Sequence, residues 1–221
     1  MSNGAVERTA FASREEWLIA RGNTIGGSDA ACIIGANPWR TNRELWEIMK
    51  GNTQAEDIST KAAVAYGIKA EEHLRELFAL DYPKIKVEYT ENNLWVNKAV
   101  PFAHASLDGW LTDQNGRFGV LEIKTTTIQN QAQKAHWQGR IPQNYYAQIL
   151  HYFLVTGFDF AILKAQIKYE MPETEPLLVT KHYRIERADV LPDIEYLREA
   201  EAAFYESLKT DTPPAIILPD I

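Results

Sequence analysis

Residues 101–127 read PFAHASLDGWLTDQNGRFGVLEIKTTT. Apolar and polar residues alternate on either side of Asn115-Gly116, a pair that favours the positive-φ positions of a tight turn. The stretch therefore predicts a β-hairpin with strands over residues 101–111 and 118–127. Successive strand side chains point to opposite faces. Phe118, Val120, Glu122 and Lys124 share one face, while Leu121 and Ile123 point to the other, toward the core. Asp108 lies on the first strand. A two-residue turn at Asn115-Gly116 would pair Asp108 with Ile123 and miss Glu122 by one position. A bulge or an odd-length loop would set the two carboxylates opposite each other. Bulges are common beside active sites, so such an irregularity is expected here.

Two carboxylates a few ångströms apart repel each other unless positive charge lies between them. A magnesium ion meets that need, because it takes oxygen ligands and keeps several waters. Manganese suits the same donors, and an oxygen-only ligand set favours either ion over zinc. Such a metal lowers the pKa of a bound water and neutralises a scissile phosphate. Lys124, on the same face as Glu122, can hold that water, and the backbone carbonyl of Ile123 is a further candidate ligand. The blander reading is a solvated strand face carrying a cross-strand ion pair; the Asp-Gly at 108–109 weighs against it.

Two helices offer more polar groups. In GIKAEEHLRELFAL (67–80) the apolar face is Leu74, Leu77 and Phe78. At about 100° per residue, Glu71 falls on the edge of that face, pointing inward, and Glu72 falls opposite, near Arg75 and Glu76. An inward carboxylate needs a metal or an ion-pair partner from elsewhere in the chain. In PQNYYAQILHYFL (142–154), Tyr145, Gln148 and Tyr152 form one stripe, and Gln148 can reach a water or the carboxylates. An ordinary semi-buried glutamine fits the pattern equally well.

A candidate anion site precedes them. In RGNTIGGSDAACIIG (21–35), Gly26-Gly27 leads into Ser28, read as an N-cap, and a short helix over 28–35. Arg21 adds a charged fork. Trp39 can stack on a base, and Arg40 and Arg43 can touch a DNA backbone, each with low specificity. An ordinary capped helix and a packing tryptophan are the alternatives.

The remaining pattern predicts helices over 13–21, 41–50, 60–80, 142–156 and 189–209. It predicts extended chain over 84–98 and strands over 158–170 and 177–186. That order makes an α/β (α+β mixed) fold, a central mixed sheet flanked by helices. One domain spans residues 1–221, with an N-terminal helical part over about 10–60, a core over about 61–170 and a closing strand and helix over about 171–221. With a single cysteine, Cys32, disulfides and thiolate zinc sites are excluded and a reducing compartment is the default. No signal peptide or membrane segment is expected. There is no phosphate-binding P-loop, nucleophile elbow or zincin motif, and the five histidines, His104 among them, show no metal-ligand spacing. The net charge of −7 argues against a general nucleic-acid binder, though not against a carboxylate metal site.

Taken in order, R-x₆-S at Arg21 to Ser28, G-x₃-E at Gly67 to Glu71, SLDG at Ser106 to Gly109, EIK at Glu122 to Lys124 and the YYAQ helix form a pattern that resembles the YqaJ-type viral recombinases. These belong to the PD-(D/E)xK nucleases. The resemblance covers about Arg21 to Thr156. It departs at Leu107, where the family has proline, and in a longer Asp-to-Glu spacing. It implies a restriction-endonuclease-like core and a Mg²⁺-dependent 5′-to-3′ exonuclease on duplex DNA with free ends. It further implies a 3′ single-stranded product, a ring-shaped homotrimer, a single-strand annealing protein as partner, and a phage or prophage origin in a bacterial cytoplasm. Asp108, Glu122 and the Ile123 carbonyl would ligate metal with Glu71 beside it. Lys124 and Gln148 would position water. Arg21 and Ser28, with Gly27, Trp39 and Arg40 nearby, would hold the DNA and its 5′ phosphate. An acidic exterior around a basic channel would reconcile the net charge. The rivals are an endonuclease on the same core and a non-catalytic DNA-binding subunit.

Overall fold

The computed structural model describes residues 5–172 and 175–218. In chain order its elements are β1 (Val6–Ala10), α1 (Arg14–Arg21), α2 (Gly27–Ile33), α3 (Asn42–Met49), α4 (Ala62–Asp81), β2 (Lys86–Glu88), β3 (Asn93–Asn97), β4 (His104–Ala105), β5 (Gly109–Thr112), β6 (Phe118–Ile128), α5 (Gln131–Ala135), α6 (Gln143–Thr156), β7 (Phe160–Tyr169), β8 (Leu177–Glu186) and α7 (Leu191–Lys209). A five-stranded mixed sheet runs β2-β5-β6-β7-β8, and a three-stranded sheet runs β1-β3-β4. Among the strands of the described residues only β6 and β7 pair in parallel, which the intervening α5 and α6 make possible. The fold is the mixed sheet with flanking helices that the element order predicts.

Both faces of the large sheet are covered. On one, Leu74 and Phe78 of α4 pack with Leu111, Leu121, Ile123, Phe160 and Ile162. On the other, Ile149 and Phe153 of α6 join Val120, Leu163, Ala165 and Ile167, together with Trp95 of the small sheet. A strand buried on both sides reads as a continuous apolar run, as FAILKAQI in β7 does. This corrects the one-sided reading of β6: Val120 at 0% and Glu122 at 1% exposure are as buried as Leu121. Leu77 also departs from expectation. It is 49% exposed, because α4 meets the sheet along a narrow stripe in which Leu74 and Phe78 are buried and Ala70 is half-buried.

The strand expected over 101–111 is broken. His104–Ala105 pairs with β3 in the small sheet, and Gly109–Thr112 pairs with β6 in the large one. Asn93 holds the crossing between them. Its side chain donates to the carbonyl of Leu107 at 2.9 Å and accepts from the Leu107 N–H at 2.9 Å, imitating a β-ladder with one amide. The extended stretch over 84–98 divides in the same way, β2 going to the large sheet and β3 to the small one.

The expected irregularity at the hairpin tip is a three-residue loop, Gln114–Gly116. The Asp113 N–H donates to the Arg117 carbonyl and the Gly116 N–H to the Asp113 carbonyl, both at 3.0 Å. Gly116 takes φ +76°, where a side chain would be strained. The odd count gives the register Thr112↔Phe118 and Gly109↔Leu121, so Asp108 continues it opposite Glu122.

Candidate active site

Because β5 begins only at Gly109, the ladder has no backbone partner for the next N–H of β6. The Asp108 carboxylate takes that place, Oδ2 accepting from the Ile123 N–H at 2.8 Å. The Asp108 carbonyl accepts from Nη1 of Arg75, and the same nitrogen lies 3.1 Å from Glu71 Oε1. Arg75, stacked over Tyr89 at 3.5 Å, thus ties α4 to the carboxylate strand. Sequence reasoning set Arg75 beside Glu72; its partner is Glu71, and Glu72 is exposed.

Glu122 sits inside this corner. The Lys124 ammonium pairs with its Oε1 at 2.5 Å, while Oε2 is buried with no hydrogen-bond partner. Burial, and then the charge of Asp108, pushes Glu122 up to about 8 against the pull of Lys124. Burial also raises Asp108, with Lys124 and the Ile123 N–H opposing. Glu71 rises through burial and Asp108. For Lys124, burial acts downward, but Glu122 and Asp108 outweigh it and hold the ammonium charged. The corner carries more buried negative charge than its cations neutralise. An unpartnered oxygen on a buried carboxylate, facing a second carboxylate, is what a hard divalent cation would complete. Among the described residues no three His, Cys, Asp or Glu side chains gather closely enough for a metal. Asp108 and Glu122 form the nucleus, and Glu71 turns toward Arg75.

A cavity of about 130 Å³ adjoins it, lined by Trp17, Arg21, Gly27, Ser28, His104, Ser106, Gln148 and Tyr152. Gln148 donates to the Tyr152 hydroxyl at 2.6 Å, and Tyr152 feels Glu122 and Asp108 after its own burial. The cavity and the carboxylates therefore share the Gln148–Tyr152 stripe. A Cβ on Gly27 would come within 2.6 Å of the Tyr152 ring and 3.2 Å of Gln148 Cγ, so only glycine allows α2 to lie this close to α6. Ser28 is not the N-cap. Gly26 caps α2, its N–H bonded to the Asp29 carboxylate at 3.0 Å, which leaves the exposed Ser28 hydroxyl to the cavity. Trp39, 76% exposed, and Arg40 lie outside this lining; Asn37 accepts from both their backbone N–H groups. Arg43 pairs with Glu47 at 3.1 Å.

The sequence reading overlooked Trp17 and Thr24, whose contacts to Arg21 and His104 are long-range or across a helix turn. The i, i+4 spacing of Trp17 and Arg21 was the available signal. It also overlooked the buried His151–Glu201 pair, at 2.7 Å, for which no local signal exists.

The model of the YqaJ-like viral recombinase domain matches residues 16–159, which include every residue of the carboxylate corner and the cavity. The chain belongs to that family. A YqaJ relative from Bacillus subtilis (strain 168), described as an uncharacterized protein, is 32% identical over 195 residues, covering 86% of this chain and 55% of its own. The chain thus spans about half the length of that curated relative. An alkaline exonuclease from Laribacter hongkongensis shares the fold at 21% identity, with a TM-score of 0.66 over 90% of this chain and 94% of its own. The same enzyme in complex with dAMP matches at 20% identity and a TM-score of 0.66. The YqaJ match ends at residue 159, so β7, β8 and α7 complete the fold beyond it.

Proposed function

We propose that this YqaJ-like chain is a Mg²⁺-dependent 5′-to-3′ exonuclease on duplex DNA, in which Mn²⁺ can substitute for Mg²⁺. The observation that carries this is the buried Glu122 carboxylate beside Asp108, one oxygen paired with Lys124 and the other without a hydrogen-bond partner. In this reading Asp108, Glu122 and the Ile123 carbonyl hold the metal, with Glu71 at its edge. The Ile123 N–H points to Asp108, and a strand residue turns its C=O to the same side, so that carbonyl is available. A bound divalent ion would lower the pKa of a water and offset charge on the scissile phosphate. Lys124, kept charged by two carboxylates, orients the attacking water and shares the phosphate charge. Gln148 and Tyr152 fix the side of the site toward the cavity. Arg21, Ser28 and Gly27 receive the 5′ phosphate, while Trp39 and Arg40 lie further along the DNA.

The finer reading follows the YqaJ resemblance. Residues 1–221 act as one nuclease domain. The product is a 3′ single strand, handed to a single-strand annealing protein, and a homotrimer encircles the duplex in a bacterial cytoplasm. Among the described residues no helix is long and apolar enough to cross a membrane.

The test is digestion of linear duplex and of a closed circle in Mg²⁺ or EDTA, with Lys124→Ala beside the unaltered protein. The reading expects Mg²⁺-dependent loss of the linear DNA only, slowed by about 10²–10³-fold in the variant. Cutting of the circle would make the protein an endonuclease. Binding without cutting would make it a non-catalytic subunit.

A further inference from the structure

Arg21 ends α1, and a long guanidinium side chain loses rotamer freedom when it is fixed. No carboxylate within ion-pair distance holds it among the described residues. Two other groups do. The Trp17 ring lies 4.4 Å below its guanidinium carbon, and its Nε donates to His104 Nε2 at 2.9 Å. The terminal nitrogens have no hydrogen-bond partner among the described residues, in a cavity that also holds the Ser28 hydroxyl.

His104, 3% exposed, is itself fixed on every side. The Thr24 hydroxyl donates its one proton to the Arg21 carbonyl at 2.7 Å, so at 2.8 Å from His104 Nδ1 it accepts. The ring therefore carries its proton on Nδ1 and presents Nε2 as the acceptor that Arg21 requires. Its backbone N–H donates to Ile25, and its carbonyl accepts from His151 Nε2 at 2.8 Å, with Glu201 of α7 behind His151. A neutral ring beside a guanidinium matches the fall of His104 to about 3, caused by burial and then by Arg21.

We infer that His104 is a positioning residue: as a neutral Nε2 acceptor it holds Arg21 by Nε and turns the free guanidinium edge toward a terminal DNA phosphate. This rests on the exonuclease reading and adds a specificity determinant to it. A glutamine at 104 offers an amide oxygen near the place of Nε2. An asparagine reaches only the Nδ1 side, toward Thr24.

The experiment measures kcat and KM on blunt duplexes that differ only in a 5′ phosphate or 5′ hydroxyl, for the unaltered protein, Arg21→Ala, His104→Gln and His104→Asn. The phosphorylated end should have the lower KM. Arg21→Ala and His104→Asn should each raise that KM roughly tenfold, the worth of a charge-assisted hydrogen bond, and narrow the preference for the phosphorylated end by the same factor. His104→Gln should retain most of the preference, and Arg21→Ala/His104→Asn should be no worse than Arg21→Ala alone. If Arg21→Ala loses the preference while His104→Asn keeps it, the inference fails and the phosphate site stands. Equal loss in His104→Gln and His104→Asn, with hydroxyl ends slowed alike, would reduce His104 to a packing residue. If the unaltered protein does not distinguish the two ends, the phosphate reading falls and takes this inference with it.

Discussion

Glu122 shows how a site side chain works against its own fold. Its folded carboxyl is pushed up to about 8, from an ordinary 4.5. Above pH 4.5 the unfolded chain releases this proton and the folded chain keeps it, so folding is penalised increasingly until pH passes the folded value. Glu122→Gln should therefore abolish cleavage yet raise Tm in EDTA, by little at pH 5 and by more at pH 8. A Tm gain that does not grow with pH would mean that Glu122 is comfortable without a metal. Asp108, Glu122 and Lys124 were legible because strand alternation and one turn are local rules. Arg75, Thr24 and the acceptor role of His104 were not, because each acts through a contact made only after distant segments have packed. Ser28 was misassigned as a cap because Gly26 and Asp29 satisfy the helix start instead.

At the level of elements, the odd hairpin loop and the broken β4–β5 segment decide where the carboxylates meet. The loop was predictable from a register mismatch of one residue. The break was not, since alternation continues through Ala105 to Gly109 and only the Asn93 side chain shows that the chain changes sheets. Asn93→Ala should leave the Leu107 N–H and carbonyl unsatisfied, with Leu107 only 2% exposed, and cost about 2–3 kcal/mol. It should also slow cleavage, because Leu107 adjoins Asp108. Chemical denaturation and DNA digestion of the one variant read both effects; a stable variant with full activity would show that the crossing needs no clamp. α4 was found from its period but over-read on its apolar side, since Leu77 meets solvent.

Over the whole molecule, the C-terminal chain closes the N-terminal helices. Buried Asn42 donates to the Ala215 carbonyl at 2.8 Å and accepts from the Ile217 N–H at 2.9 Å, and a Cβ on Gly35 would collide with Ile217. Truncation after Lys209 should strip Asn42 of these partners and cost about 1–2 kcal/mol, or roughly 2–8 °C in Tm. An unchanged Tm would show the tail to be dispensable. The net charge of −7 could not reveal this arrangement. The parallel pairing of β6 with β7 has a further effect during synthesis. Gly119 must wait for Phe160, and Ile128 for Tyr169, to leave the ribosome. Until then the strand bearing Glu122 and Lys124 is an open edge on a hairpin too small to persist alone. β6 thus stays unprotected until β7 has emerged, and a stalled or shortened translation product ending before β7 would present it as a template for aggregation.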